Sequence, residues 1–548
     1  MTTDRLNATA GTAGTAQSTV RRLVVFVLLY VLVSIAATGL SGLLARLLGE
    51  GAEFAGTDVT GMAMALAFAL VGGPLAAALW WAVWRRADAP AERSSLAWGV
   101  YVAAMYVVAL IVSASSLLGL GALLVTGEAF GWQSGLSTAL VWAGVWLWHS
   151  WMSRHPHKGP ARLSSVPGVV GAVFGLILGV ANTVGALSRL FEAAVRAAGD
   201  ATAVGDPWWR FAAGSLVWAL GGAAIWWWHW YRQRVRHLSG GLADVALVVT
   251  GVLGAAALAL GGIGTVLYVL LRLAFDRSDP ILQLLGPLPP GLASAAVGLA
   301  VWAYHRPVAD RRGETVRRAG GLVVAGVALV GAASGIGVIV NSVLAMAASP
   351  LAGDDTRALL LGGISALVVG APVWWLVWRP AAAAEPSGRR VYLVVVFGAS
   401  AVVALVTLLV IGYRLFEFLL DDVTGSGLVE RVRAPFGLLV ATGLAAAYHF
   451  SVWRRDRSAL AVTAAGRPRT IEHVVLVAPG GSVAGLESAI GDATGARVTV
   501  WERAGSAGPG PDPAALLRSL EGVSGRSVLL VTDSSGRIEV IPLAFDVP

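Results

Sequence analysis

The chain has 548 residues, of which 56% are hydrophobic and 13% charged, against roughly 25% charged in soluble domains. Its mean hydropathy of +0.72 excludes water as its main solvent, and the absence of cysteine excludes structural disulfides and thiolate metal sites. A net charge of +8 and a pI near 10.2 do not imply nucleic acid, because the arginines sit beside apolar segments and form no basic stripe with interleaved aromatics on a soluble module.

Residues 1–20 are small and polar and lack the charged n-region and cleavage site of a signal peptide, so they are expected to form a disordered cytoplasmic tail. Apolar windows of about 20 residues, enough to cross a hydrocarbon core of about 30 Å, follow near 23–48, 62–84, 96–125, 134–152, 166–195 and 210–231. Six more lie near 242–275, 289–305, 320–346, 358–378, 391–420 and 434–453. The expected fold is an all-α polytopic membrane protein of about twelve transmembrane helices. The odd-numbered windows begin at 23, 96, 166, 242, 320 and 391, intervals of 70 to 78 residues, so the chain reads as six helical-hairpin repeats. An even number of spans per repeat relates successive hairpins in parallel. Grouped in pairs, the hairpins occupy 21–160, 161–312 and 313–457, four helices being the natural packing unit.

Each even window ends in an aromatic and basic cluster, as in Leu79-Trp80-Trp81-Ala82-Val83-Trp84, Ile225-Trp226-Trp227-Trp228-His229-Trp230 and Val373-Trp374-Trp375-Leu376-Val377-Trp378. Trp and Tyr favour the headgroup boundary, which makes these clusters a depth marker. Arg21, Arg85, Arg154, Lys158, Arg232, Arg312, Arg379, Arg389 and Arg455 fall on one side of the spans. Glu50, Glu53, Asp58, Glu128, Asp200, Asp206, Asp276, Asp421 and Asp422 fall on the other. The positive-inside rule then places both termini in the cytoplasm of a bacterial cytoplasmic membrane, where anionic lipid contacts the arginines.

His149, His229, His305 and His449 share one position in the exit motif, replaced by Val83 and Val377 in the first and fifth repeats. Imidazole could ligate haem or metal there, but no spacing demonstrates facing pairs, and interfacial hydrogen bonding is the favoured reading. No cofactor or metal is expected. In the odd helices Arg46, Arg189, Arg272 and Arg414 each precede an acid by three or four residues: Glu50, Glu192, Asp276 and Glu417. That spacing pairs the charges on one helix face. Seven residues before those arginines stand Gly39, Asn182, Thr265 and Thr407, and Asn341 has a similar depth in the ninth span. Asn182, Asn341, Thr265 and Thr407 are the candidate intramembrane polar site. Gly171, Gly175 and Gly179, and likewise Gly331 and Gly335, are spaced to let helix backbones approach. No Asp or Glu stands in the middle of a span, which disfavours ion-coupled transport.

After a linker at 458–469, residues 470–548 are patterned as a soluble cytoplasmic α/β domain. Strands are predicted at Glu472 to Ala478, Arg497 to Glu502, Ser527 to Thr532 and Ile538 to Leu543, with helices near Ser482 to Asp492 and Pro513 to Glu521. The turn Pro479-Gly480-Gly481-Ser482 lacks the Lys-Ser/Thr of a P-loop and reads as an ordinary turn capped by Ser482. Asp533-Ser534-Ser535-Gly536 reads as a hairpin turn.

The helix from Arg389-Arg390-Val391-Tyr392-Leu393 to Tyr413-Arg414-Leu415-Phe416-Glu417, with the exit Ile225-Trp226-Trp227-Trp228-His229-Trp230-Tyr231-Arg232, resembles a bacterial membrane family, domain of unknown function 5671. The resemblance covers residues 21 to 457 in tandem copies. The second and fifth repeats depart from it by lacking the outer arginine. No activity comes with the family, so no catalytic residue is implied. The expected role is a non-enzymatic scaffold or accessory subunit in contact with membrane lipids, whose C-terminal domain docks a membrane or cytoplasmic protein. The alternative is a carrier for a neutral or lipid-like molecule.

Overall fold

The computed structural model describes residues 3–49, 59–127, 131–198, 207–348, 354–378, 386–420, 427–465, 471–479, 486–503, 512–520, 523, 525–532 and 537–543. The acids Glu50, Glu53, Asp58, Glu128, Asp200, Asp206, Asp421 and Asp422, Arg379, and the turns at Gly480-Gly481-Ser482 and Asp533-Ser534-Ser535-Gly536 lie outside the described residues. The chain divides into two compact units, Met1–Ala445 and Ala446–Pro548.

The first unit is helical. Its elements are α1 Thr3–Leu48, α2 Val59–Arg86, α3 Leu96–Thr126, α4 Trp132–Ser153, α5 Val166–Ala198 and α6 Trp208–Arg232. There follow α7 Gly241–Phe275, α8 Ile281–Arg311, α9 Glu314–Ala348, α10 Asp354–Trp378 and α11 Pro386–Leu420. The unit boundary falls inside α12 Leu428–Ala465. Among the described residues eleven helices are long and apolar enough to cross a membrane. The twelfth expected span, α4, forms as a helix but is less apolar, because Trp132, Trp142, Trp146, Trp148 and Trp151 stand where aliphatic residues would be. Two other expectations need correction. Residues 3–20 continue α1 instead of forming a disordered tail: the segment has no proline and extends a helix already nucleated by the apolar run, although its five Thr and two Gly are weak helix formers. The expected linker is likewise helical as far as Ala465.

Packing follows a regular offset. Each odd helix from α1 to α9 packs on the even helix that follows it, and α1, α3, α5 and α7 also pack on α4, α6, α8 and α10 respectively. The glycines explain the intimacy of the hairpins. A Cβ on Gly175 would lie 2.3 Å from the Trp226 nitrogen, one on Gly262 2.3 Å from the Ala295 nitrogen, and one on Gly335 2.6 Å from the Leu367 nitrogen. Only hydrogen fits where two backbones come this close. Between α9 and α12 the same contact is made by Gly337 and Gly437.

In the second unit β1 Ile471–Pro479, β2 Arg497–Arg503, β3 Gly525–Thr532 and β4 Ile538–Leu543 form a sheet ordered β2-β1-β3-β4. β1 is parallel to β2 and β3, and β3 is antiparallel to β4. With α13 Leu486–Thr494 and α14 Pro513–Ser519 the order is the expected βαβαββ. Alternation along the strands turns Val474, Leu476, Ala478, Val528 and Leu530 toward Leu486, Ile490, Leu516 and Leu520 of the helices in one core. The register sets Val475, Val477, Trp501, Val531 and Ile541 on the other face, where Trp501 is 55% and Ile541 36% exposed.

Candidate functional site

The segments joining successive hairpins interlock. Arg93 Nε donates to Gly159 O at 3.2 Å, and Trp98 Nε1 donates to Lys158 O at 3.0 Å. Lys158 Nζ donates to Trp84 O at 2.8 Å and pairs with Asp88 at 3.0 Å. The connections after α2 and α4 are therefore one structure. Arg312 ties those after α6 and α8 together, pairing with Asp244 at 2.9 Å and donating to Val235 O. These connections form the basic end of the first unit, and the exit aromatics stack on its cations. Arg85 lies 4.7 Å from the Trp81 ring and Lys158 4.3 Å from the Trp84 ring, while Arg232 is 5.9 Å from Trp228.

His149, His229 and His305 lie just inside this end, and each of the four histidines of the row, His449 of the second unit included, is at most 3% exposed. His149, His229 and His305 each place Nδ1 2.7 to 2.9 Å from the carbonyl four residues earlier, on Val145, Ile225 and Val301. A carbonyl only accepts, so Nδ1 carries the proton and Nε2 presents a lone pair. For His149 that lone pair accepts from the Tyr101 hydroxyl at 3.2 Å, and for His229 from the Tyr106 hydroxyl at 3.0 Å. Both tyrosines are on α3, which packs on α4 and α6. His305 Nε2 is buried with no hydrogen-bond partner among the described residues.

Local helix geometry seats these rings. Widened π-helical turns at Trp228–Arg232 in α6 and Leu247–Gly254 in α7 insert one residue into the helical register. A Cβ on Gly171 would lie 2.4 Å from His229, and one on Gly251 2.9 Å from His305. Each imidazole thus rests on the bare backbone of the odd helix in its own hairpin.

Beside His229 opens a cavity of about 470 Å³ between the ends of α4 and α6 and the start of α5. Its polar wall includes Arg154, Arg232, Ser164, Ser165, Tyr106 and Gln233. Gln233 Nε2 donates to Tyr106 Oη at 2.9 Å, giving a directional chain from Gln233 through Tyr106 and His229 to Ile225 O. Under it Gly168 allows the close approach of Gln233, whose Oε1 would be 3.0 Å from a Cβ there. The two non-glycine residues of positive φ among the described residues, Leu163 and Arg234, both at 59°, adjoin this wall. Such strain persists where the surroundings over-determine it and concentrates at functional sites.

The polar positions of the odd helices stand apart. Asn182 donates to Leu178 O at 2.9 Å, Thr265 to Gly261 O at 2.9 Å and Thr407 to Val403 O at 2.6 Å, each on its own helix. Asn341 lies seven residues before the end of α9 and accepts from Arg433 of α12 at 3.0 Å. No hydrogen bond joins any two of the four among the described residues. Three of the four expected arginine and acid pairs form, Arg189 with Glu192 at 3.4 Å, Arg272 with Asp276 at 2.9 Å and Arg414 with Glu417 at 2.9 Å; Glu50, expected to pair with Arg46, lies outside the described residues. No group of three His, Asp or Glu among the described residues is arranged to hold a metal ion.

Sequence reasoning missed Tyr101, Tyr106 and Gln233. A signal was present for Tyr106: a shift of 70 residues, the interval between the third and fifth windows, carries it onto Leu176, while His229 shifts by 76 onto His305. Tyr106 of the second hairpin serves His229 of the third, whereas Leu176, at the corresponding place in the third hairpin, offers no hydroxyl to His305 of the fourth, whose Nε2 has no partner among the described residues.

Against protein-family models the chain matches Domain of unknown function (DUF5671) three times, over residues 18–147, 166–288 and 318–444. No curated protein and no solved structure matches the chain.

Proposed function

The chain belongs to the DUF5671 family, in three tandem copies, and on that premise we propose an integral protein of the bacterial cytoplasmic membrane that acts as a non-enzymatic scaffold. In this reading α1–α12 all cross the bilayer as six parallel hairpins, with the basic end and both termini in the cytoplasm. The tryptophan-stacked cations at the exits of α2 and α6 support the orientation, since Lys and Arg accumulate on cytoplasmic loops and Trp at the interface. The close glycine contacts support a rigid frame.

The observation that carries the scaffold role is Trp501, which stands 55% exposed beside Val477 and Val531 in register, on the sheet face opposite α13 and α14. An exposed tryptophan on an apolar face is the side chain most enriched at binding hot spots. A cytoplasmic protein partner docks there. Affinity purification of the full chain, of a chain lacking 466–548 and of Trp501→Ala tests this. A partner lost in both variants supports docking, and a partner retained in both removes the role. The carrier reading has less support, because Asn182, Thr265 and Thr407 spend their hydrogen bonds on their own helices.

A further inference from the structure

We propose that the cavity between α4, α5 and α6 is a binding site for a phosphate group, carried by an anionic phospholipid headgroup or by a soluble phosphate ester. Three independent features converge on it. Its lining holds two guanidiniums, Arg154 and Arg232, and no carboxylate. Neither arginine makes an ion pair among the described residues, in contrast to Arg189, Arg272, Arg306, Arg312 and Arg414. Guanidinium forks match the oxygens of a phosphate two at a time.

The second feature is the neutral donors around the same space. Ser164, Ser165 and Gln233 line it, and Gln233 is held by Tyr106. Fixing the donor before the ligand arrives lowers the ordering cost of binding. The third is the start of α5, a helix of 33 residues, whose first turn contributes Pro167 and Gly168 to the wall. Val166 N and Val169 N are bonded to Leu163 O and Ser165 O and Pro167 has no N–H, so this end contributes the Gly168 N–H and the helix dipole, which favours an anion. About 470 Å³ falls in the range of small-molecule sites.

The lining also states which source suits it. Trp228, Val235 and Leu238 form an apolar flank, so a glycerophosphate with its acyl chains directed along the helices satisfies both halves. This lipid assignment rests on the membrane reading above; the phosphate assignment does not.

The test uses the full chain in detergent, with native mass spectrometry for phosphatidylglycerol and phosphatidylcholine and calorimetry for inorganic phosphate. Phosphatidylglycerol is expected to bind one per chain in preference to phosphatidylcholine, and about tenfold or more weaker in Arg154→Gln/Arg232→Gln, as loss of charged hydrogen bonds implies. Arg236→Gln, at the same end but outside the lining, is expected to bind as the parent does. Ser164→Glu, which puts a carboxylate at an exposed lining position, is expected to weaken binding without relying on the fold of the double variant. Arginine-dependent binding of inorganic phosphate alone supports the site and assigns it to a soluble ester. Failure of both probes to bind, or equal binding in parent, double variant and Ser164→Glu, overturns the proposal. Cysteine labelling of the loops reports separately on the membrane reading.

Discussion

Tyr106 of α3 gives its hydroxyl proton to His229 of α6 at 3.0 Å while accepting from Gln233 at 2.9 Å. One phenol therefore joins the second hairpin to the third and fixes a wall of the cavity. Tyr106→Phe leaves the buried Nε2 of His229 without a donor, a loss of about 1–3 kcal/mol. Thermal unfolding in detergent is expected to show a lower midpoint; an unchanged midpoint would mean that water or another group replaces the hydroxyl.

His229 and His305 occupy equivalent positions with unequal partners, so equal substitutions are expected to have unequal effects. His229→Leu strands Tyr106 and should destabilise by about 1–3 kcal/mol. His305→Leu removes a buried nitrogen that had no partner, so it should be near neutral or stabilising. The two unfolding midpoints, compared in one detergent, decide this, and equal losses would contradict the assigned pattern.

Adjacent glycines in α7 provide a packing test. A Cβ on Gly262 meets Ala295 and Gly291 backbone atoms at 2.3 and 2.6 Å, whereas one on Gly261 meets nothing within 4 Å. Gly262→Ala is expected to lose about 1–3 kcal/mol through overpacking. Gly261→Ala should leave stability unchanged or slightly raised.

Asp276, just past the end of α7, carries a pH signature. Burial by itself favours its neutral acid, but hydrogen bonds from Ser278 and Arg272 and the Arg272 charge prevail, and the carboxyl lies below its ordinary 3.8. A depressed carboxyl contributes stability that is present above the unfolded value and disappears as pH falls through the folded one. Asp276→Asn should therefore lower the unfolding midpoint at pH 7. The difference from the parent should shrink as pH drops below about 3.9, and a difference that persists in acid would contradict the pairing.

Much of the helical unit was legible because one physical rule dominates it: a backbone without water must bond to itself, so long apolar runs become helices. The same rule made α4 harder to recognise by hydropathy, since its five tryptophans suit the interface as well as the interior. The C-terminal order βαβαββ could be read because short β-branched apolar runs, such as Val474 to Ala478, are bounded by turn residues such as Pro479-Gly480-Gly481. The histidine row was visible as a row, but Tyr101 and Tyr106 were hidden within α3, where a tyrosine looks like any interfacial aromatic. Which helix meets which histidine depends on the offset packing of α3 on α4 and α6, a tertiary relation no single window contains. Asn341 was placed with Asn182 by depth alone. Its partner Arg433 lies 92 residues away, on a helix whose approach is governed by Gly337 and Gly437.

The central claim is that the interlocked basic end faces the cytoplasm and the Arg272 end faces outward. The chain has no cysteine, so single cysteines report without background. Ser239→Cys in the connection after α6, Ser519→Cys in the C-terminal unit and Arg277→Cys after α7 would be expressed singly in bacterial cells. After removal of any outer envelope, a membrane-impermeant maleimide is expected to label Arg277→Cys at once, and the other two only after permeabilisation. Labelling of Ser239→Cys in sealed cells with protection of Arg277→Cys would invert the topology, and immediate labelling of all three would contradict a membrane-spanning fold.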